Sequence, residues 1–172
     1  MSKDYTLVGS QTMVREMHEI AGHPIANRPT LMTELRMTQR ADYIKSELVE
    51  LFQAIEAGDF AQFVDALGDI KYFVDGTFVE AGVNGKIVTA RIHEANLSKL
   101  WPGGMTDEQI VDHLATHELT VDEVYFEPTP IPGKAICKRR DNHKWVKGPD
   151  YAEADFSDMA IEAAKNAAAS AA

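Results

Sequence analysis

Cysteine is nearly absent: Cys137 is the only one in 172 residues. One thiol cannot close an intrachain disulfide, so a reducing cytoplasm is the expected compartment. No run approaches eighteen apolar residues, so no membrane span is expected. The opening stretch MSKDYTLVGSQ has no basic segment leading into an apolar one, so no secretory leader is expected either. Without secretion, the Asn96-Leu97-Ser98 match to a glycosylation site carries no meaning. Positive charge is also short, with 17 Lys and Arg against 27 Asp and Glu, a net charge of -10. That balance argues against a protein held to duplex nucleic acid by phosphate contacts, and no nucleic-acid partner is expected. Neither GxxxxGK[ST] nor GxSxG occurs, which removes a phosphate-cradling glycine loop and a serine nucleophile elbow. His113 and His117 form an HxxxH, but Leu114 stands where a metalloprotease helix carries glutamate, and no third ligand is evident. They read as a surface pair.

What is present is an ordinary soluble composition, 45% hydrophobic and 26% charged, at a length that fits one domain. Met13, Val14, Met17 and Ile20 recur at helical spacing and predict a first helix over about 10–21, with Ser10 or Thr12 as cap. A second helix is expected over roughly 31–57. Met37, Ala41, Ile44, Leu48, Leu51 and Ile55 step along it by four and three as an apolar seam. Ala57-Gly58-Asp59 ends that helix and caps a third, carried by Phe60, Val64, Leu67, Val74 and Phe78 to Ala81-Gly82. So short a link makes the two antiparallel. KIVTARIHEANLSKL is a fourth helix, stopped by Trp101-Pro102-Gly103-Gly104, and Thr106 to Gln109 is a capping box opening a fifth. Residues 120–148 read as extended chain or a small hairpin. The alanine-rich tail 158–172 could be helical or disordered and is assigned no chemistry.

Four carboxylates stand out on the helix pair. At about 100° per residue, Glu47 and Glu50 share one flank of the second helix, while Asp65 and Asp69 lie side by side on the third with Tyr72, Gly76 and Glu80. Like charges four apart destabilise a helix, and no basic residue sits among Asp65, Asp69 and Glu80 to relieve them. Antiparallel pairing brings both acidic pairs near one level. Hard oxygen donors suit Mg²⁺, or Mn²⁺ in its place, rather than zinc. Spacing alone leaves a solvated acidic surface and a metal site both open.

Glu47-x-x-Glu50, followed by Asp69 in a Leu-Gly-Asp context, resembles the MazG-type all-α nucleoside triphosphate pyrophosphohydrolases. That superfamily includes the phosphoribosyl-ATP pyrophosphohydrolases and the dimeric dUTPases; its pattern is ExxE, a gap, then ExxD. The chain is most similar to bacterial and phage members with "DALAD…GT", "EVHRANMSKL" and "DGK.VKGPNY" stretches. Here these read Asp65-Ala-Leu-Gly-Asp69 with Gly76-Thr77, Arg91 to Leu100, and Asp141 to Tyr151. The resemblance covers most of residues 10–101 and 138–155. It departs at Ala66, where the second motif has glutamate and Asp65 is the substitute, and at Ser46, where many members have a second glutamate.

The resemblance implies an all-α antiparallel bundle as a single domain over residues 1–157, with a short extended or hairpin segment near the C-terminus. Residues 105–137 would be an insertion. It implies Mg²⁺ held by Glu47, Glu50, Asp65 and Asp69, with Glu47 the first choice to accept the proton of the attacking water. Asn96 and Lys99 would hold phosphate or sugar, Lys144 and Lys147 the outer phosphates, and His18 with Asn27-Arg28 could meet the base. The implied reaction converts a nucleoside triphosphate, deoxy by preference, to monophosphate and pyrophosphate in a homodimer or homotetramer. Phosphoribosyl-ATP as substrate is the alternative. A non-catalytic helical protein that kept the bundle is another, and Ala66 and Ser46 are the residues in its favour.

Overall fold

Local chemistry sets the helix ends. The structure, a computed structural model, describes residues 8–170; most of the stretch read for a leader and the last two alanines lie outside the described residues. Helix α1 (Ser10–Ala21) starts from Gly9 with no side-chain cap, rather than from Ser10 or Thr12, and closes on Gly22. Helix α2 (Glu34–Ala57) opens where the Thr33 hydroxyl accepts the Arg36 amide, three residues later than periodicity suggests. It stops on Gly58, whose φ of 65° is left-handed. Asp59 then accepts the amides of Ala61 and Gln62 and opens α3 (Phe60–Ala81). A C-cap fused directly to an N-cap folds α3 back along α2. Gly82 ends α3 at a φ of 64°, and any Cβ there would overlap the Arg28 backbone. Helices α4 (Gly85–Leu97), α5 (Asp107–Ala115) and α6 (Ser157–Ser170) follow, α5 with the expected Thr106–Gln109 capping box.

The chain divides into two compact units, one comprising residues up to Val88 with those from Phe156 onward, the other Thr89–Asp155. In the first unit α3 packs against both α1 and α2. The alanine-rich tail is helical there: Ala163 is buried and the Asn166 amide donates to Pro29 O at 2.7 Å. Its buried apolar set is thin and small, chiefly Val14, Ala54, Ala66, Val79 and Ala163.

The apolar seams of α2 and α3 are not what joins the pair. Met37, Leu48 and Ile55 of α2, and Phe60, Val64 and Leu67 of α3, are exposed. The facing stripes are instead Arg36, Arg40, Tyr43, Glu47, Glu50 and Ala54 on α2, and Ala66, Asp69, Phe73, Gly76 and Glu80 on α3. Each stripe steps by four and three, the geometry of a helix-pair seam. Their registration is fixed by Arg36 on Glu80, Arg40 on Thr77, and the Tyr43 and Phe73 rings 5.3 Å apart.

The second unit corrects the all-α expectation, because the protein is mostly helical but carries a four-stranded antiparallel sheet. Strand β1 is Trp101–Pro102, β2 Val124–Pro128, β3 Lys134–Arg139 and β4 Trp145–Val146. β3 pairs with β2 throughout, and with β1 near Ala135 and β4 near Cys137. Trp101, Leu114, Leu119, Val124, Cys137 and Val146 form the core, and the Trp101 indole donates to Val146 O at 2.9 Å. Trp101-Pro102 therefore does more than stop a helix: it supplies a strand and the largest buried side chain.

Candidate active site

Helices α2 and α3 place Glu47, Glu50 and Asp69 on the stripes that face each other, with Asp65 one turn before Asp69. Glu47 is half-buried, while Glu50, Asp65 and Asp69 are exposed. The Glu47 carboxyl is raised above its ordinary range, first by partial desolvation and then by the charges of Glu50, Asp69 and Asp65. The fold thus gathers two carboxylates from each helix within electrostatic reach. Among the described residues, however, no three His, Cys, Asp or Glu side chains close into a metal cage. The donor set, all carboxylate oxygen, fits a hard divalent cation.

Glu80 is excluded from that group. Its carboxylate is 1% exposed and accepts both Arg36 Nε and Arg36 Nη2 at 2.7 Å, with Arg40 Nη1 at 3.5 Å. Burial alone would raise Glu80, but the Arg36 bonds and the two guanidinium charges hold it below its usual value. The repulsion expected along the acidic face is therefore relieved at this end by cations from α2. Asp75, also buried, pairs with Lys71 at 2.6 Å.

Asn96, Lys99, Lys144 and Lys147 all belong to the second unit. Lys99 Nζ donates to Asn96 Oδ1 at 2.7 Å, so the two act as one polar group on α4. Lys147 Nζ sits 4.1 Å from the Tyr151 ring centroid and 3.9 Å from Glu153. The Lys144 amide donates to Asn142 Oδ1 in the turn before β4. His18 is buried in the first unit, with Nδ1 3.1 Å from Pro24 O, while Asn27 Oδ1 accepts from Arg15. His113 Nε2 is committed to Lys147 O at 2.9 Å and its ring meets that of His117 edge to face, so this pair has a structural role.

Sequence reasoning missed the Arg36–Arg40–Glu80 cluster. Its signal was available in the spacing 36, 40, 43, 47, 50, a seam written in polar residues and passed over because the apolar one beside it was stronger.

The helix pair, with its ExxE facing an aspartate-bearing partner, lies in a segment similar to the MazG-like all-α NTP pyrophosphohydrolase superfamily. Within that superfamily, residues 14–96 match the family described as phosphoribosyl-ATP pyrophosphohydrolase, a little under half of the chain. The match contains all four carboxylates and Asn96, and stops short of the sheet. The family indicates a pyrophosphohydrolase enzyme. A search of curated proteins finds no match.

Proposed function

We propose that the protein hydrolyses a nucleoside triphosphate, by preference a deoxynucleotide, to the monophosphate and pyrophosphate, in nucleotide-pool control or house-cleaning. The observation that carries this reading is the family match over residues 14–96, which contains Glu47 and Glu50 on α2 and Asp65 and Asp69 on the antiparallel α3. Glu47, Glu50, Asp65 and Asp69 would hold Mg²⁺, or Mn²⁺ in its place. Bound there, the metal supplies charge neutralisation on the phosphoryl oxygens and acidifies a ligated water. Glu47, at the rim of that group, accepts the proton of the attacking water. The water oxygen bonds to the α-phosphorus, the bond from that phosphorus to the bridging oxygen breaks, and pyrophosphate leaves with the bonding pair. Asn96 and Lys99 hold phosphate or sugar, and Lys144 and Lys147 the outer phosphates.

The exposed apolar seams of α2 and α3 support a homodimer or homotetramer, in which a second copy covers Leu48, Ile55, Phe60 and Leu67. No helix among the described residues is long and apolar enough to cross a membrane, and the reading places the enzyme in the cytoplasm. Phosphoribosyl-ATP is the second candidate substrate, favoured by the name of the matching family; it undergoes the same bond cleavage.

Pyrophosphate release across a panel of canonical and modified dNTPs and NTPs, plus phosphoribosyl-ATP, tests the reading. Mg²⁺-dependent turnover of at least one compound is expected, abolished by Glu50→Gln or Asp69→Asn with helicity intact. An inert protein across the panel, with Mg²⁺ and with Mn²⁺, refutes it.

A further inference from the structure

Arg40 is a buried cation in the α2–α3 seam that the reaction does not use. Its side chain is 6% exposed. Nη2 donates to Phe73 O at 2.6 Å, Nε donates to Thr77 Oγ1 at 3.1 Å, and Nη1 lies 3.5 Å from Glu80. The Thr77 hydroxyl donates to that same Phe73 carbonyl at 2.8 Å, so one guanidinium closes a ring of bonds onto a single turn of α3. Gly76 makes the space, because a Cβ there would overlap Arg40 Nη2. The guanidinium carbon also lies 5.8 Å from the Tyr43 ring centroid and 5.6 Å from that of Phe73. Tyr43 is one helical turn before Glu47, and Phe73 one turn after Asp69.

Elsewhere the seam is small or acidic. Ala54, Ala66 and Gly76 offer no knobs to lock one helix against the other, and Glu47, Glu50 and Asp69 repel. Axial register then rests on the Tyr43–Phe73 ring contact and on the directional polar contacts beside it, where the rigid five-donor fork of arginine fixes an orientation that an apolar side chain could not. At about 1.5 Å per residue, a shift of α2 along α3 by as little as one or two residues takes Glu47 and Glu50 off the level of Asp65 and Asp69.

We propose that Arg40 is a positioning residue: through Phe73 O, Thr77 and Glu80 it sets the register of α2 on α3 that holds the four carboxylates level, and so sets their affinity for a divalent cation. The cation half of the claim rests on the proposed function; the register half does not.

Two measurements separate the halves. Pulsed EPR between spin labels at Lys45→Cys and Gln62→Cys, both exposed positions, reads the register; Cys137 is 1% exposed and stays unlabelled. Mn²⁺ titration without nucleotide, on unlabelled protein, reads the site. Arg40→Met is expected to shift or broaden the distance distribution and to weaken Mn²⁺ binding by about tenfold or more, as loss of supporting contacts does at other metal sites. Arg40→Lys keeps the charge but not the fork, and falls between. An unchanged distance distribution, or parent-like Mn²⁺ binding beside a changed one, overturns the proposal. If Arg40→Met does not fold, Arg40→Lys is judged by the same two readings. A parent that neither binds Mn²⁺ nor releases pyrophosphate sinks the proposed function and with it the cation half, while the EPR distances alone decide the register half.

Discussion

Replacing Glu80 with Gln tests whether the buried ion cluster holds the helix pair. The substitution keeps shape and removes one charge from a carboxylate that is 1% exposed, leaving Arg40, 6% exposed, without its counter-ion. Removing one partner of a buried pair costs about 3–5 kcal/mol. Arg36 keeps 24% exposure and can turn to water, so the lower end, about 3 kcal/mol, is the appropriate figure. For a chain of this size each kcal/mol moves Tm by about 2–4 °C, so a drop of about 6–12 °C is expected at pH 7. The pH dependence carries the sign. Glu80 is depressed below 4.5 in the folded protein, so its stabilisation is complete above 4.5 and fades as pH falls through the lower folded value. The gap between parent and Glu80→Gln, read by scanning calorimetry at fixed protein concentration, should be full at pH 7 and narrow below pH 4.5. A gap under about 1 °C at pH 7, or one that is constant through the acid range, would refute the reasoning.

Glu47→Gln should lose turnover yet melt above the parent at pH 7 in EDTA. The raised Glu47 carboxyl destabilises above its folded pKa, and the difference should vanish as pH falls through that value. Asp59→Ala removes the cap on two α3 amides and should cost about 1 kcal/mol by urea melting, at the link that folds α3 back on α2. Leu67→Asp, on the exposed seam, should lower the sedimenting mass of any oligomer while monomer helicity is kept. Cys137, its thiol pushed up to about 11 by burial, should resist a disulfide reagent at pH 8 until the chain is denatured.

Helix positions were legible because they are local. Gly58-Asp59 is a stop and a start in adjacent residues, and the Thr106–Gln109 box is complete in four. Helix faces were not, because a face depends on what covers it. The Met37-to-Ile55 seam is the most apolar stripe on α2, and burial of apolar surface is the dominant driving force. The Arg36-to-Ala54 stripe won instead, since Arg36 and Arg40 meet Glu80 and Thr77 only on that side. The β2–β3 hairpin does lie in the stretch expected to be extended, but the four-stranded sheet built on it was not legible. β1 and β4 are two residues each, too short to show alternation, and they exist because β3 offers its edge to both. The carboxylates of the candidate site were legible individually, as was the distance of Glu80 from them along α3, but the pairing of Glu80 was not. That required seeing two arginines arrive from the neighbouring helix.

The inverted packing bears on why this site sits where it does. A helix pair that turned its apolar seams inward would leave Glu47, Glu50 and Asp69 on outer faces, hydrated and free to diverge. Turning the polar stripes inward leaves the pair the Tyr43–Phe73 rings and small residues as apolar contact, and half-buries Glu47 beside the charges of Glu50 and Asp69. Such an arrangement needs something that apolar packing would otherwise provide. Within the pair it is the Arg36–Arg40–Glu80 cluster at one end and the Gly58-Asp59 link at the other, with the carboxylates held between two fixed points. Outside the pair it is cover for Leu48, Phe60 and Leu67. One sequence decision, to write the inner seam in charge, therefore sets both the place of the candidate site and the need for a partner surface.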